Sequence, residues 1–165
     1  MIFLQVSILP NLYTVMRSKV FLGGTVNGSK WREKLIPKLK IDYFNPVVKN
    51  WDNKAYKKEL LERELCNYCL YVLTPKMEGY YSIAEVIDDS NKRPTRTILC
   101  IISKDGHSSF STFQLKSLQR ISEMVKSNGG KVFSSLQQVA SYLNEKSKKP
   151  WLSGFKGMWP SFNYR

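Results

Sequence analysis

The residues whose chemistry stands out most lie in one short stretch, Gly79-Tyr80-Tyr81-Ser82-Ile83-Ala84-Glu85. It follows a hydrophobic segment that ends near Thr74-Pro75 and precedes a short predicted helix that carries Glu85 in its first turn. Free N–H groups make a helix N-terminus partly positive, so a carboxylate there stays ionised and available as a nucleophile or hydrogen-bond acceptor. Glu85 is therefore our candidate catalytic residue.

The same stretch also has a purely structural interpretation. Ser82 and Glu85 have the spacing of a capping box, in which each side chain binds a backbone donor that the first turn of a helix leaves unpaired. The pattern alone leaves the catalytic and the capping interpretations open.

A second candidate loop follows the first predicted strand, Lys19–Gly23. Gly23-Gly24-Thr25 allows a backbone turn and the close approach of a ligand. Neither G-x-G-x-x-G nor a Walker pattern follows, so we expect no dinucleotide or P-loop site of the usual form. Trp31, Leu35 and Leu39 then recur every four residues, which predicts the core-facing stripe of a helix.

The composition indicates a globular protein with a strong basic excess. The chain has 165 residues, 42% of them hydrophobic, and 26 Lys and Arg against 13 Asp and Glu give a formal charge of +13. This length allows one domain with a real core, and the hydrophobic fraction excludes disorder. The charge would attract phosphates, nucleic acid or an acidic surface, but in the body of the chain scattered solvated lysines are the preferred explanation, and the tail is the better candidate for a contact.

Three cysteines and one histidine limit the metal and redox chemistry. Cys66-x-x-Cys69 has no second cysteine pair beside it, and His107 is the single histidine of the sequence. We therefore expect buried structural cysteines in a reducing compartment, with no zinc site and no cofactor. No apolar run is long enough to span a bilayer, and the expected location is the cytoplasm.

Both ends of the chain are predicted to lie outside the main domain. Residues 1–18 form an expected N-terminal extension without the basic leader of a secretory signal, and residues 19–145 form the domain. Residues 146–165 carry five basic residues and no acid. The tail also holds five aromatic residues, Trp151, Phe155, Trp159, Phe162 and Tyr164. We expect it to form either a strap across the domain or an arm that contacts nucleic acid.

Five apolar segments alternate with helical patterns and predict the fold. The strands are Lys19–Gly23, Ile41–Phe44, Cys69–Leu73, Thr97–Ile102 and Lys131–Phe133. We expect a single flavodoxin-like or Rossmann-like α/β domain, with a parallel sheet of order 2-1-3-4-5 and helices on both faces. Ligands in such sheets bind at the carboxyl edge between the first and third strands, where the loops 23–27 and 74–85 should meet.

The helix before the central strand is predicted to have one apolar and one solvated face. Tyr56, Leu60, Leu61 and Leu65 form its apolar stripe, and its charged face holds Glu59, Glu62, Arg63 and Glu64.

Taken together, these segments resemble the nucleoside 2-deoxyribosyltransferase-like family, especially its small branch from bacteria and phages. The resemblance runs from Lys19 to about Asn144. It rests on the order and spacing of Lys19-Val20-Phe21-Leu22-Gly23-Gly24-Thr25, Trp31-Arg32, Asn45-Pro46 and Tyr71-Val72-Leu73-Thr74-Pro75, followed by Ser82-Ile83-Ala84-Glu85.

The resemblance implies N-glycosidic chemistry on a deoxynucleoside or its monophosphate. In the family, the glutamate at the position of Glu85 attacks the anomeric carbon, and a second acid, here Glu59 in place of the usual aspartate, assists the departing base. The resemblance also implies a homo-oligomer. The implied substrate-binding residues are Gly23, Gly24, Thr25, Trp31, Asn45, Tyr81 and Ser82. Gly79 stands where well-studied transferases carry a further acid, and transferase and hydrolase both remain open.

The alternative function is a non-catalytic module that binds nucleotide or nucleic acid through the same crevice and the basic tail.

Overall fold

The computed structural model describes residues 18–146, which contain a five-stranded sheet and its helices. Residues 1–17 of the predicted extension (1–18) and residues 147–165 of the predicted tail (146–165) lie outside the described residues. Within 18–146, no helix is both long and apolar enough to cross a membrane.

In chain order the elements are β1 (Lys19–Gly24), α1 (Trp31–Leu35), a 3₁₀ turn (Ile36–Lys38), β2 (Asp42–Phe44), α2 (Asn53–Leu65), β3 (Tyr68–Leu73), α3 (Tyr81–Lys92), a 3₁₀ turn (Pro94–Arg96), β4 (Thr97–Ile101), β5 (Lys104–Asp105), β6 (Ser108–Ser109), α4 (Thr112–Ser127), β7 (Lys131–Phe133) and α5 (Leu136–Lys146).

The main sheet is parallel, with the order β2-β1-β3-β4-β7. β7 is the predicted fifth strand, so the expected 2-1-3-4-5 order is confirmed. A small antiparallel hairpin, β5 with β6, follows β4 and was not predicted. Its sequence, Lys104 to Ser109, lacks the apolar alternation by which a strand is recognised.

Alternate residues of the buried strands supply two separate cores, as expected for a sheet covered on both faces. Val20, Leu22, Leu70 and Val72 pack on one face with Trp31 and Leu35 of α1 and Val139 and Leu143 of α5. The other face buries Phe21, Cys69, Tyr71 and Leu73 under Val86 of α3 and Leu118 and Val125 of α4. The predicted arrangement of helices on both faces is therefore confirmed.

All three cysteines are buried and free, as predicted. Burial raises the pKa of the Cys66 thiol to about 11 and those of Cys69 and Cys100 to about 12. At neutral pH these thiols are protonated and act as small apolar groups.

The orientation of α2 differs from the prediction at Leu61, Arg63 and Leu65. Leu61 and Leu65 are 57% and 68% exposed, whereas Arg63, predicted to be solvated, is buried. The reason is an ionic one, because Asp89 of α3 binds the Arg63 guanidinium through two hydrogen bonds. Arg63 therefore points at α3, and Leu61 and Leu65 point outward.

Candidate active site

A cleft of about 670 Å³ opens at the carboxyl end of β1. Its walls come from β1 and the loop after it, the β2–α2 connection, α2 and the start of α3. The two loops that the sequence analysis selected thus border one crevice. Of the nine predicted site residues, six line it, namely Gly23, Gly24, Glu59, Tyr81, Ser82 and Glu85.

Glu85 lies in the second turn of α3, and it is not part of a helix cap. The helix begins at Tyr81, its N-cap is Tyr80, no side chain caps it, and its first turn holds no acid. The predicted capping box of Ser82 and Glu85, and the predicted place of Glu85 in the first turn, are therefore wrong. The helix begins two residues before the start that an N-cap at Ser82 would require, which leaves the Glu85 carboxylate free for other contacts.

The Glu85 carboxylate is largely buried but still borders the cleft. Its side chain is 6% exposed, and Oε1 accepts a long hydrogen bond of 3.5 Å from Arg63 Nη1. Within residues 18–146, Oε2 accepts no hydrogen bond and is not among the buried atoms without a partner. Oε2 is therefore the oxygen that faces the open space.

Burial raises the pKa of Glu85 to about 7, and Glu59 and Asp89 add to the rise while Arg63 opposes it. Burial favours the neutral form of a carboxyl, whereas a nearby cation favours the ionised form. At neutral pH Glu85 is therefore present in both its protonated and its ionised form. A pKa shifted to near neutral pH is typical of groups in active sites.

Behind Glu85, a set of buried ionic contacts joins α2 to α3. Arg63 donates to both oxygens of Asp89, at 3.0 Å from Nε and 2.6 Å from Nη2. Tyr71 of β3 donates its hydroxyl to Asp89 Oδ2 at 2.5 Å. Burial opposes the charge of Asp89, but the hydrogen bonds from Arg63 and Tyr71 lower its pKa below the ordinary value. Asp89 is thus held as a carboxylate in the interior.

Glu59 lies on α2 in the wall of the same cleft as Glu85. It is half-buried, and Trp51 Nε1 lies 3.5 Å from its Oε2. The Trp51 ring packs against Tyr56 with 5.6 Å between centroids. Trp51 and Tyr81 are 63% and 61% exposed, so the cleft has flat aromatic surfaces beside its two acids.

Arg32 places a positive charge in the lining of the cleft. Its guanidinium is buried and donates to the main-chain oxygens of Leu22 and Thr25, at 2.9 Å from Nη2 and 2.8 Å from Nη1. None of the ion pairs within residues 18–146 includes Arg32. Burial lowers its pKa to about 10, which Glu59 partly counteracts, so the group is still charged at neutral pH.

Three predicted site residues lie outside the cleft lining. Thr25 is buried, accepts a hydrogen bond from the Thr74 amide at 2.9 Å and borders only a recess of about 120 Å³. Trp31 is 2% exposed in the core and donates from Nε1 to Thr25 O. Asn45 precedes the lining residue Pro46, and its Oδ1 accepts from the Val47 amide. Their contacts fix the loops that border the cleft.

The two glycines of the first loop are needed for packing inside the protein. A Cβ at Gly23 would lie 2.8 Å from the Tyr71 ring, and one at Gly24 would overlap the main-chain oxygen of Val72. Gly24 also has φ of +111°, which side chains of L-residues rarely adopt. The two glycines were predicted to allow a ligand to approach the loop closely. In the structure they also allow β1 to pack closely against β3.

Arg32 and Arg63 are site residues that the sequence analysis missed. Arg32 follows Trp31 directly, yet no pattern in the sequence marks it as buried. Arg63 was assigned to a solvated face because three neighbours on α2 are acidic. No group of three or more histidine, cysteine or acidic side chains within residues 18–146 is placed to hold a metal ion.

Comparison with known proteins assigns the family. No curated protein and no solved structure matches the chain significantly. Residues 17–103, just over half of the chain, match the family described as nucleoside 2-deoxyribosyltransferase like. The match extends from β1 to the end of β4 and includes Glu59 and Glu85. The chain belongs to the nucleoside 2-deoxyribosyltransferase-like family, and this membership supports a function of the glycosyl-transfer type.

Proposed function

We propose that this protein cleaves or exchanges the N-glycosidic bond of a deoxynucleoside or its monophosphate, with Glu85 as the nucleophile. The observation that carries the proposal is the position of Glu85, whose Oε2 borders a cleft of about 670 Å³ and accepts no hydrogen bond from the described residues. Family membership supports the reaction type.

In the proposed reaction, Glu85 Oε2 forms a bond to the anomeric carbon as the bond from that carbon to the base breaks. The electron pair leaves with the base nitrogen, which gains a proton. Water or a second base then attacks the same carbon, the electron pair of the ester bond returns to Glu85, and the attacking group loses a proton. An ionised carboxylate also stabilises the oxocarbenium-like transition state, so one difficult step becomes two easier ones.

Glu59 is the proposed partner in proton transfer. It shares the cleft with Glu85 and lies near Trp51, beside the aromatic surfaces that would hold a base. A carboxyl group in this place would donate the proton to the departing base and then take one from the attacking water or base.

The cleft suits a nucleotide in both size and surface. A ligand pocket is usually a concave space of about 300–1,000 Å³, mostly apolar with a few polar groups. Trp51 and Tyr81 offer stacking faces, and Ser82 offers a hydroxyl for the sugar or a phosphate. The unpaired charge of Arg32 favours an anionic substrate, so we expect the monophosphate to be preferred over the free nucleoside.

The test is incubation of the purified protein with a mixed panel of ribonucleosides, deoxynucleosides, their monophosphates and a nicotinamide dinucleotide. Mass spectrometry then detects the free base or an exchanged nucleoside. We expect release from at least one substrate, with Glu85→Gln at least about 10³-fold slower. Glu123→Gln is the control, because Glu123 pairs with Arg120 on α4, outside the cleft. Binding of a nucleotide without any base release would favour a non-catalytic binding module instead.

A further inference from the structure

Arg63 is the buried residue among the thirteen of α2, and its contacts converge on α3. Its planar guanidinium makes two edges available to acceptors. Nε and Nη2 donate to Asp89, while Nη1 faces Glu85 Oε1 at 3.5 Å and Nη2 also lies 3.3 Å from the Glu85 main-chain oxygen. A guanidinium is rigid, so fixing one edge of it fixes the direction of the other.

Asp89 is itself held on three sides. Arg63 occupies both of its oxygens, Tyr71 donates to Oδ2 at 2.5 Å, and Arg93 donates from Nε to Oδ1 at 2.9 Å. Asp89 is fully buried. We call these contacts around Asp89 the Asp89 anchor. The ring of Tyr71 lies against Gly23, where an added Cβ would be only 2.8 Å from the ring, so the Asp89 anchor extends to β1.

We propose that Arg63 is a positioning residue for Glu85, whose Oε1 it orients while leaving Oε2 toward the cleft and whose ionised form it stabilises. This inference rests on the proposed role of Glu85 as nucleophile. Asp89 acts through Arg63, because it holds the edge of the guanidinium that the Glu85 carboxylate does not contact.

The charges around Glu85 determine what loss of Arg63 would do. The titratable or charged groups that border Glu85, the shared cleft or the Asp89 anchor are Arg32 on α1, Tyr56, Glu59 and Arg63 on α2, Cys69 and Tyr71 on β3, Tyr81, Asp88 and Asp89 on α3, and Arg93 just after α3. Burial, Glu59 and Asp89 all raise the pKa of Glu85, and Arg63 lowers it. Removing Arg63 leaves the influences that favour the protonated, unreactive carboxyl.

The competing explanation is that Arg63 only attaches α2 to α3. Three substitutions separate the two explanations. Arg63→Met removes the charge and keeps the approximate length, and Arg63→Lys keeps the charge without the fork. Arg96→Met is the matched control, because Arg96 holds the end of the same helix through the main-chain oxygens of Glu64 and Cys66 and makes no contact with Glu85 or Asp89.

Two readouts test the inference. The first is the pH profile of kcat for base release, and the second is a carboxyl titration by infrared difference spectroscopy, each variant compared with its Glu85→Gln double variant. We expect Arg63→Met to move the Glu85 midpoint up by about one pH unit or more and to lower kcat at pH 7 by about tenfold, with KM little changed. In Arg63→Lys the positive charge remains, so the Glu85 midpoint should stay near the wild-type pH, but kcat should be lower than in the wild type. Arg96→Met should leave the midpoint at the wild-type pH.

An unchanged midpoint in Arg63→Met, or an equal shift in Arg96→Met, would overturn the proposal. If the wild type released no base, the proposed function would fail, while the carboxyl titration would still decide whether Arg63 controls Glu85. Should Arg63→Met not fold, Arg63→Gln provides the test, because its amide can still donate a hydrogen bond to Asp89 while the positive charge beside Glu85 is lost, so the midpoint should move up. An unchanged or lowered midpoint would then overturn the proposal.

Discussion

The central conflict at the residue level is that Glu85 must carry a negative charge in a place that resists it. Its pKa is raised to about 7, mainly by burial and further by Glu59 and Asp89, and Arg63 limits the rise. A less buried carboxylate would be ionised at neutral pH but weakly reactive, because water would solvate its charge. Burial therefore reduces the ionised fraction of Glu85, but it also removes water from the ionised carboxylate and so makes it more reactive.

This conflict predicts that Glu85→Gln stabilises the protein at high pH. The folded-state pKa of Glu85 lies near 7, above the ordinary 4.5, so the stabilisation from its carboxyl is full below about 4.5 and is lost as the pH rises through 7. The free energy of unfolding of Glu85→Gln should gain on the wild type by roughly 2–3 kcal/mol between pH 4.5 and pH 8. Urea unfolding of both proteins across this range measures the difference. Parallel curves would contradict the raised pKa.

A second residue-scale prediction separates Glu59 from the other acids of α2. Glu59→Gln should lower kcat by about 10²-fold, because a positioned proton donor contributes that much, with little change in stability. Glu62→Gln is the matched control, since Glu62 lies on the same helix and pairs with Lys19 at 2.5 Å outside the cleft. Steady-state rates of base release compare the two. Equal effects would argue that α2 contributes only general charge.

At this scale the sequence reveals acids better than buried cations. Glu85 and Glu59 were selected from spacing and family resemblance, and both line the cleft. Arg63 was not selected, because its burial depends on Asp89, a partner 26 positions away on another helix. The Ser82 spacing favoured a cap that did not form, because the helix starts at Tyr81, two residues before the start that an N-cap at Ser82 would require.

At the level of elements, the edge of the cleft depends on how closely β1 approaches β3. Gly24 pairs with Val72 in the sheet, and the next amide, that of Thr25, donates to Val72 O at 2.9 Å. This contact turns the chain away from the strand and into the loop that borders the site. The loop is thus positioned by backbone contacts that a side chain at Gly24 would break.

We accordingly predict that Gly24→Ala destabilises the protein by more than about 3 kcal/mol, since a Cβ would overlap backbone atoms as well as strain a positive φ. Gly28→Ala is the matched control, because Gly28 also has a positive φ, of +63°, but nothing lies within 4 Å of the added atom. Its cost should be about 1 kcal/mol. Thermal unfolding of both variants measures the contrast. Equal losses would mean that the close approach of the strands contributes nothing.

The orientation of α2 shows where pattern analysis of an element fails. Leucine spacing predicted that Leu61 and Leu65 face the core, but both are exposed, because one buried ionic contact at Arg63 turns the helix. Apolar periodicity predicts the inward face only when burial of apolar area dominates the packing. In a helix at the edge of a sheet with few buried residues, a single well-bonded guanidinium outweighs it.

On the scale of the whole molecule, the sheet could be predicted because its strands are unbroken apolar runs separated by helical patterns. Strands such as Leu70–Leu73 are buried on both faces, which is typical of a parallel sheet. The strand order then followed from the common arrangement of small α/β domains, and with it the position of the crevice. The hairpin β5–β6 could not be predicted, since two-residue strands have no period.

Two whole-molecule predictions stay untested by the fold. The family resemblance implies a homo-oligomer, and the basic aromatic residues 146–165 are predicted to form either a strap across the domain or an arm that contacts nucleic acid. Light scattering would measure the first, and the salt dependence of binding to single-stranded DNA, with and without residues 147–165, would measure the second.

The most direct test of the account is to trap the sugar on the protein. A 2′-fluoroarabinosyl analogue of the preferred substrate slows both steps, because fluorine withdraws electrons from the anomeric carbon. We predict a mass increase equal to one fluorinated sugar, or sugar phosphate, located on the peptide that contains Glu85 and absent in Glu85→Gln. An adduct on another residue, or base release that persists in Glu85→Gln, would contradict the assignment of Glu85 as the nucleophile.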